Sequence, residues 1–377
     1  ANRQAMRATG VKDVLVDIFR RSDPLQADTI GGKTASVWDS LDAATLETRE
    51  QLSTAPEIQA ELFATLAGLY HYSGEADKAR DLQFEALSIY QSLGSRFEVQ
   101  IAVTQAEYAA YLGLDNYVQA KPLMENSIRQ AGQFGEENPE AFVSILLVAG
   151  NLEKDVGQYD SALLYFRQAG DILELTENKD LSLQIDVLTG EADVLVSQDK
   201  LALAEPLLTL ALKLGEQAFG QNHRRLTDTL TSLAALELRR ENIDKTIAYN
   251  LRVIELMEHD SGTTYDSLLA AKNNLAIAYG GGERYHEEQR ILSEVINIRR
   301  EISGPTGSVE LAIHIKNLAS SLHLTGDYDE ALETLAEADQ MIKVHFPPDS
   351  PFQALPHFTT ALIYLDTNRP ELAETES

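Results

Sequence analysis

The stretch Leu66-Ala67-Gly68-Leu69-Tyr70, followed by Gly74, Ala79 and Ala86, returns near the other end of the chain as Leu318-Ala319, Gly326-Asp327-Tyr328, Ala331 and Ala338. Each copy reads as a helix A with a small/large core rhythm, a tight turn, and a helix B with two alanines seven apart. The segments between them keep the same phase. Equivalent helix A positions are Leu66, Glu107, Ala149, Glu191, Leu233, Leu275, Leu318 and Thr360, in steps of 41 to 43 residues. The turn position holds Ala76, Tyr117, Tyr159, Leu201, Ile243, Tyr285, Tyr328 and Pro370. Three residues on, where helix B must approach helix A, stand Ala79, Ala120, Ala162, Ala204, Thr246, Glu288, Ala331 and Ala373. Small side chains there let the helix axes come close; a bulky one overpacks the contact at a cost of about 1–3 kcal/mol. A helical bundle has no need of a fixed period, so the spacing predicts stacked helix pairs.

The pattern resembles the tetratricopeptide repeat. Its period of about 42 exceeds the usual ~34 residues, and this long form is similar to the repeats of kinesin light chains and of many bacterial signalling proteins. The expected fold is all-α: a right-handed α-solenoid of about eight tetratricopeptide helix pairs, one continuous superhelix, with an N-terminal capping helix pair. Turn-rich connections at Phe134–Pro139, Phe219–His223, Gly304-Pro305 and Phe346–Pro351 supply helix stops and caps. His223 is expected to act as a cap. Residues 1–53 are read as the capping helices: an amphipathic helix over about Ala5 to Arg21, a loop with Pro24 and Gly31-Gly32, and a B-like helix over about Lys33 to Leu52 carrying Trp38 and Leu41. Residues 54–377 are read as the solenoid, its last repeat truncated at Pro370 to Ser377. The apolar surface this leaves is expected to favour self-association.

The 377 residues carry 59 acids against 31 bases, a formal charge of -28, which opposes nucleic acid or an anionic membrane surface as the main partner. No cysteine is present, which removes disulfides, thiolate nucleophiles and Cys-ligated zinc. The best uncharged apolar run, Val143 to Ala149, falls well short of the roughly 20 residues of a membrane span. No signal-peptide pattern is read at the start, and Ala1 in place of Met reads as a processed product or an excised piece.

The stretch from Val11 through Asp17-Ile18-Phe19-Arg20-Arg21-Ser22-Asp23-Pro24, then Thr34 to Leu41 and Pro56 to Ala60, resembles the opening of the tetratricopeptide region in bacterial membrane-anchored serine/threonine protein kinases. Val14 stands where that family usually has Phe. The resemblance covers about the first hundred residues. It implies a kinase domain and a membrane tether upstream of residue 1, and an extracytoplasmic location for this chain. Residues 1–21 hold five bases and two acids, which suits a segment near a membrane surface as well as it suits a solvated helix face. No kinase motif occurs here, so no catalytic residue is implied and the chain is read as non-enzymatic. The alternative reading is a cytoplasmic tetratricopeptide adaptor or peptide-responsive regulator.

Ala27 to Thr34 nearly spells a phosphate-binding loop, but Ala27 replaces its first glycine and no strand precedes it; Thr34 reads better as a helix cap. None of the eight histidines is spaced to share a helix face as metal ligands, and His286 beside Glu287 and Glu288 reads as a polar helix start. No cofactor or metal is expected. The candidate site is the inner face formed by the A helices, where Lys272, Asn273, Asn274, Lys316 and Asn317 fall on one turn of successive repeats and Asn151 and Lys154 one turn further along an earlier one. Asparagine both donates and accepts, and so grips an extended peptide backbone; Lys316 would pair with a ligand carboxylate. His71 and His323 occupy one equivalent position. The expected partner is a protein or peptide.

Overall fold

A computed structural model describes residues 37–72, 75–113, 116–177, 180–259, 265–303, 307–345 and 353–375. The expected helix at 5–21, the kinase-like motif before Pro24, the phosphate-loop-like stretch and the connections at 304–305 and 346–351 lie outside these residues.

Every regular element among the described residues is helical. The chain divides into two compact units, residues 1–198 and 199–377. The first contains α1 (Val37–Gln51), α2 (Pro56–Tyr72), α3 (Ala76–Leu93), α4 (Glu98–Leu112), α5 (Tyr117–Phe134), α6 (Pro139–Asp155), α7 (Tyr159–Leu175) and α8 (Leu181–Ser197). The second contains α9 (Leu201–Phe219), α10 (Thr227–Arg239), α11 (Ile243–Glu258), α12 (Tyr265–Gly281), α13 (Tyr285–Ser303), α14 (Val309–Thr325), α15 (Tyr328–His345), α16 (Ala354–Asp366) and α17 (Pro370–Thr375). Hairpins α2/α3, α4/α5 and α6/α7 pack in the first unit; α10/α11, α12/α13, α14/α15 and α16/α17 pack in the second.

All eight predicted turn residues are the first residues of their B helices. The reason is steric. Ala79, Ala120, Ala162 and Ala331 are wholly enclosed, so helix A lies against the backbone of helix B at each of these points. The turn itself demands a left-handed residue two positions before helix B. Gly157 and Gly326 take it with φ of 77° and 86°, whereas Glu241, Glu283 and Asn368 take it at 60°, 57° and 59°. In α4 the enclosed residues include Ala102, Gln105, Ala109 and Leu112, matching Ala60, Phe63, Ala67 and Tyr70 of α2. Tyr108, not Glu107, is therefore the counterpart of Leu66, and the missing residue of that repeat falls between Leu112 and Tyr117, which match Tyr70 and Ala76.

Two bulky residues, Glu288 at a small-residue position and Phe166 elsewhere in the core, are accommodated by glycines on facing helices. At Glu288 the facing residue of α12 is Gly280, whose absent Cβ would lie 2.7 Å from the carboxylate, and Ser321 donates to Glu288 Oε2 at 2.7 Å. In the first unit, Phe166 of α7 is fully buried between two glycines: a Cβ on Gly150 of α6 would come within 2.8 Å of its ring, and one on Gly190 of α8 within 2.4 Å. Those glycines act as sockets for an oversized core residue.

Consecutive B helices are also tied by charge, at one recurring pair of positions. Arg49 of α1 meets Glu85 of α3 at 2.6 Å, Glu216 of α9 meets Arg252 of α11 at 2.6 Å, and Arg300 of α13 meets Glu337 of α15 at 2.7 Å. The same positions in α11 and α13 hold two acids, Glu258 and Glu294. Lys272 of the intervening α12 reaches both, at 3.3 Å and 3.2 Å.

Candidate functional site

Lys272 is therefore not a groove residue. Its side chain is only 13% exposed, and its ammonium is spent on holding two like charges together. Lys154 and His323 are likewise committed to the fold. They sit at the last turn of their A helices and reach the next A helix. Lys154 approaches Asp193 of α8 at 3.7 Å, and His323 Nε2 lies 2.7 Å from Asp366 Oδ2 of α16. His71, at the equivalent position in α2, stacks on Tyr111 of α4 with ring centroids 4.6 Å apart, and burial holds its pKa below the ordinary imidazole value. These residues tie neighbouring hairpins within a unit.

The remaining candidates form two groups. In the first unit Asn151 is exposed on α6. In the second, Asn273 and Asn274 of α12 recur 43 residues on as Lys316 and Asn317 of α14. Asn274 is exposed; Asn273, Lys316 and Asn317 are half-buried. Asn273 Oδ1 is enclosed and accepts no hydrogen bond, and Lys316 forms no ion pair among the described residues. This leaves an acceptor and a cation on equivalent turns of neighbouring A helices.

His223 caps a short 3-10 turn as expected, its Nδ1 accepting from the Arg225 N–H at 3.1 Å. Among the described residues no three His, Asp or Glu side chains converge as metal ligands, and no helix is long and apolar enough to cross a membrane.

Residues 268–307, spanning α12 and α13, match the family model described as tetratricopeptide repeat. Both units are stacks of tetratricopeptide-type hairpins. Among solved structures the chain is similar to BtubC (BKLC) from P. vanneervenii, with 16% identity and a TM-score of 0.54 over 60% of this chain and 92% of that one. The apo form of RapI has 11% identity and a TM-score of 0.59, covering 83% and 85%. A Rap protein complexed with Competence and Sporulation Factor has 14% identity and a TM-score of 0.51, covering 84% and 95%. At these identities the likeness is one of fold. No curated protein matches the chain in sequence.

Sequence reasoning missed a cleft of about 430 Å³ between α2 and α4 in the first unit, lined by Glu61, Thr65, Gln100, Thr104 and Glu107 with Ala64, Val99, Val103 and Tyr90. α4 packs directly on α6, and α6 on α8, whereas α2 and α4 are spread apart. Burial pushes the Glu107 carboxyl above the usual carboxylate range, against a hydrogen bond from Gln83 that lowers it. The signal was Gln83 itself. It is fully buried at a B-helix position where the other repeats carry Met124, Phe166, Leu208, Asn250, Leu292 and Leu335.

Proposed function

We propose that this chain is a non-catalytic module that binds a protein or peptide partner along its A helices. The observation that carries this reading is the polar row Asn273, Asn274, Lys316 and Asn317. Its enclosed acceptor and its cation are left unanswered by the described residues of the fold, although buried polar groups ordinarily find partners. An extended peptide supplies a carboxylate for Lys316 and backbone groups for the exposed Asn274. The Rap likeness supports it, since a related stack of hairpins is complexed with Competence and Sporulation Factor in one of those structures. The test is selection of peptides from a random display library on the full chain. Asn274→Ala with Asn317→Ala should weaken the selected peptides at least several-fold; unchanged affinity refutes the row as the site.

We further propose, on the resemblance around Ser22-Asp23-Pro24, that this module is the extracytoplasmic sensor or scaffold region of a bacterial serine/threonine kinase, tethered to the membrane upstream of residue 1. Partner engagement would pass to the kinase through the Val11–Arg21 segment, by association or reorientation. Deleting residues 37–377 from the full-length protein should abolish stimulus-dependent phosphorylation. Equal activity with and without them, under every stimulus tried, refutes the signalling role.

A further inference from the structure

The cleft between α2 and α4 is not explained by the row on α12 and α14, and it lies in the other unit. Its lining has three properties that together select a ligand class. First, among the described residues that line it, the charged ones are both acidic, Glu61 and Glu107. Second, Glu107 is held in place from behind. Gln83 Nε2 donates to Glu107 Oε2 at 2.6 Å and to the Thr104 carbonyl at 3.3 Å. Gln83 is wholly enclosed, and its own Oε1 accepts no hydrogen bond from the described residues. A core position in this repeat is thus given to a polar side chain with an unanswered acceptor, a costly choice whose visible result is the orientation of one carboxylate. Third, the rest of the wall is uncharged: Ala64, Val99, Val103 and the enclosed Tyr90, with Thr65, Thr104 and the amide of Gln100 among them.

We propose that this cleft binds the basic side chain of a partner, an arginine or lysine, with Glu107 and Glu61 as its counter-ions and Gln83 as the residue that positions Glu107. The aliphatic stem of such a side chain covers Val99 and Val103 while its charged head meets the carboxylates, the division of labour that long basic side chains adopt at apolar surfaces. The head supplies several N–H donors, which a carboxylate pair can accept together. A metal ion is the poorer occupant, since among the described residues no third His, Asp or Glu joins the pair. The inference is independent of the row on α12 and α14, so either can fail alone.

The test uses the full chain with methyl-labelled valines and three capped tripeptides: acetyl-Gly-Arg-Gly-amide, its lysine analogue, and its citrulline analogue, which keeps the shape of arginine without the charge. The arginine or the lysine peptide should shift the Val99 and Val103 methyl resonances saturably, and the citrulline peptide should bind about tenfold or more weakly. Glu107→Gln should bring the basic peptide down to the citrulline level. Gln83→Met, which places the Met124-like residue of the next repeat in the core, should weaken binding while leaving the citrulline peptide unchanged. Three results overturn the proposal: no saturable shift at Val99 and Val103, equal binding of the citrulline peptide, or shifts of the same size at the 88% exposed Val118, which would mean diffuse attraction to an acidic surface. Should Glu107→Gln fail to fold, Gln83→Met and Glu61→Gln carry the decision, and full basic-peptide affinity in both overturns it.

Discussion

Replacing Lys272 with Met keeps its packed stem and removes its charge. Two ion pairs then vanish, those at 3.3 Å to Glu258 and 3.2 Å to Glu294. The carboxylates are 51% and 40% exposed, so each pair contributes little, about 0.2–1 kcal/mol. The larger effect is what remains. Two carboxylates that shared one ammonium are left roughly 6 Å apart, and at an effective dielectric of about 40 they repel by about 1–1.5 kcal/mol, an upper figure because Arg290 still pairs with Glu294 at 3.2 Å. The expected loss is about 2 kcal/mol from the α11–α13 region. Stacked repeats need not unfold in one step, so amide hydrogen exchange in α11, α12 and α13 is the appropriate readout, with urea unfolding as a second. Adding Glu294→Gln removes the repulsion and should recover about half the loss; ~1 M salt, where screening acts over about 3 Å, should do much the same. Lys272→Met protein with unchanged exchange in these helices, or a double variant less stable than the single one, refutes the reasoning.

Gly190→Ala pushes a methyl to within 2.4 Å of the Phe166 ring and should cost about 1–3 kcal/mol by thermal unfolding, with Phe166→Leu restoring part of the loss. Glu241→Gly relieves a left-handed non-glycine residue at φ 60° and should stabilise by about 0.5–1 kcal/mol in urea titrations, provided the turn keeps its geometry. Glu288 has its pKa raised from 4.5 by burial, against a lowering hydrogen bond from Ser321. The folded state therefore holds this proton more tightly than the unfolded chain, and the ionised form penalises folding above the raised value. Glu288→Gln should be the more stable protein at pH 7, and the difference should vanish as pH falls below about 4.5; a gain that persists unchanged at pH 3 excludes this cause.

The hairpin register was readable because it depends on volume. Ala79, Ala162 and Ala331 cannot grow without separating two helices, so small residues hold phase wherever the contact recurs. Glu107 was misplaced by one position because the spacing was counted back from Tyr117, and the residue lost between Leu112 and Tyr117 leaves no mark in that count. The site was less legible. Lys272, Lys154 and His323 look like groove residues when polarity and spacing are the only guides, since each lies on an A helix near others of its kind. Their partners, Glu294, Asp193 and Asp366, lie on other helices, and only the stacking of hairpins brings them within reach. The α2–α4 cleft was hidden differently: a gap between helices leaves no mark in a sequence except where a core position turns polar, as at Gln83.

The charged ties along the B helices have a consequence for how such a chain can change. Arg49 precedes Glu85 and Arg300 precedes Glu337, but Glu216 precedes Arg252. Within the second unit the sign reverses from one junction to another. Exchanging the hairpins that carry α11 and α13 would set Glu216 against Glu294 and Arg300 against Arg252, like charges face to face. The hairpins are alike in shape yet not interchangeable, and their order is written into the outer edge as a sequence of signs.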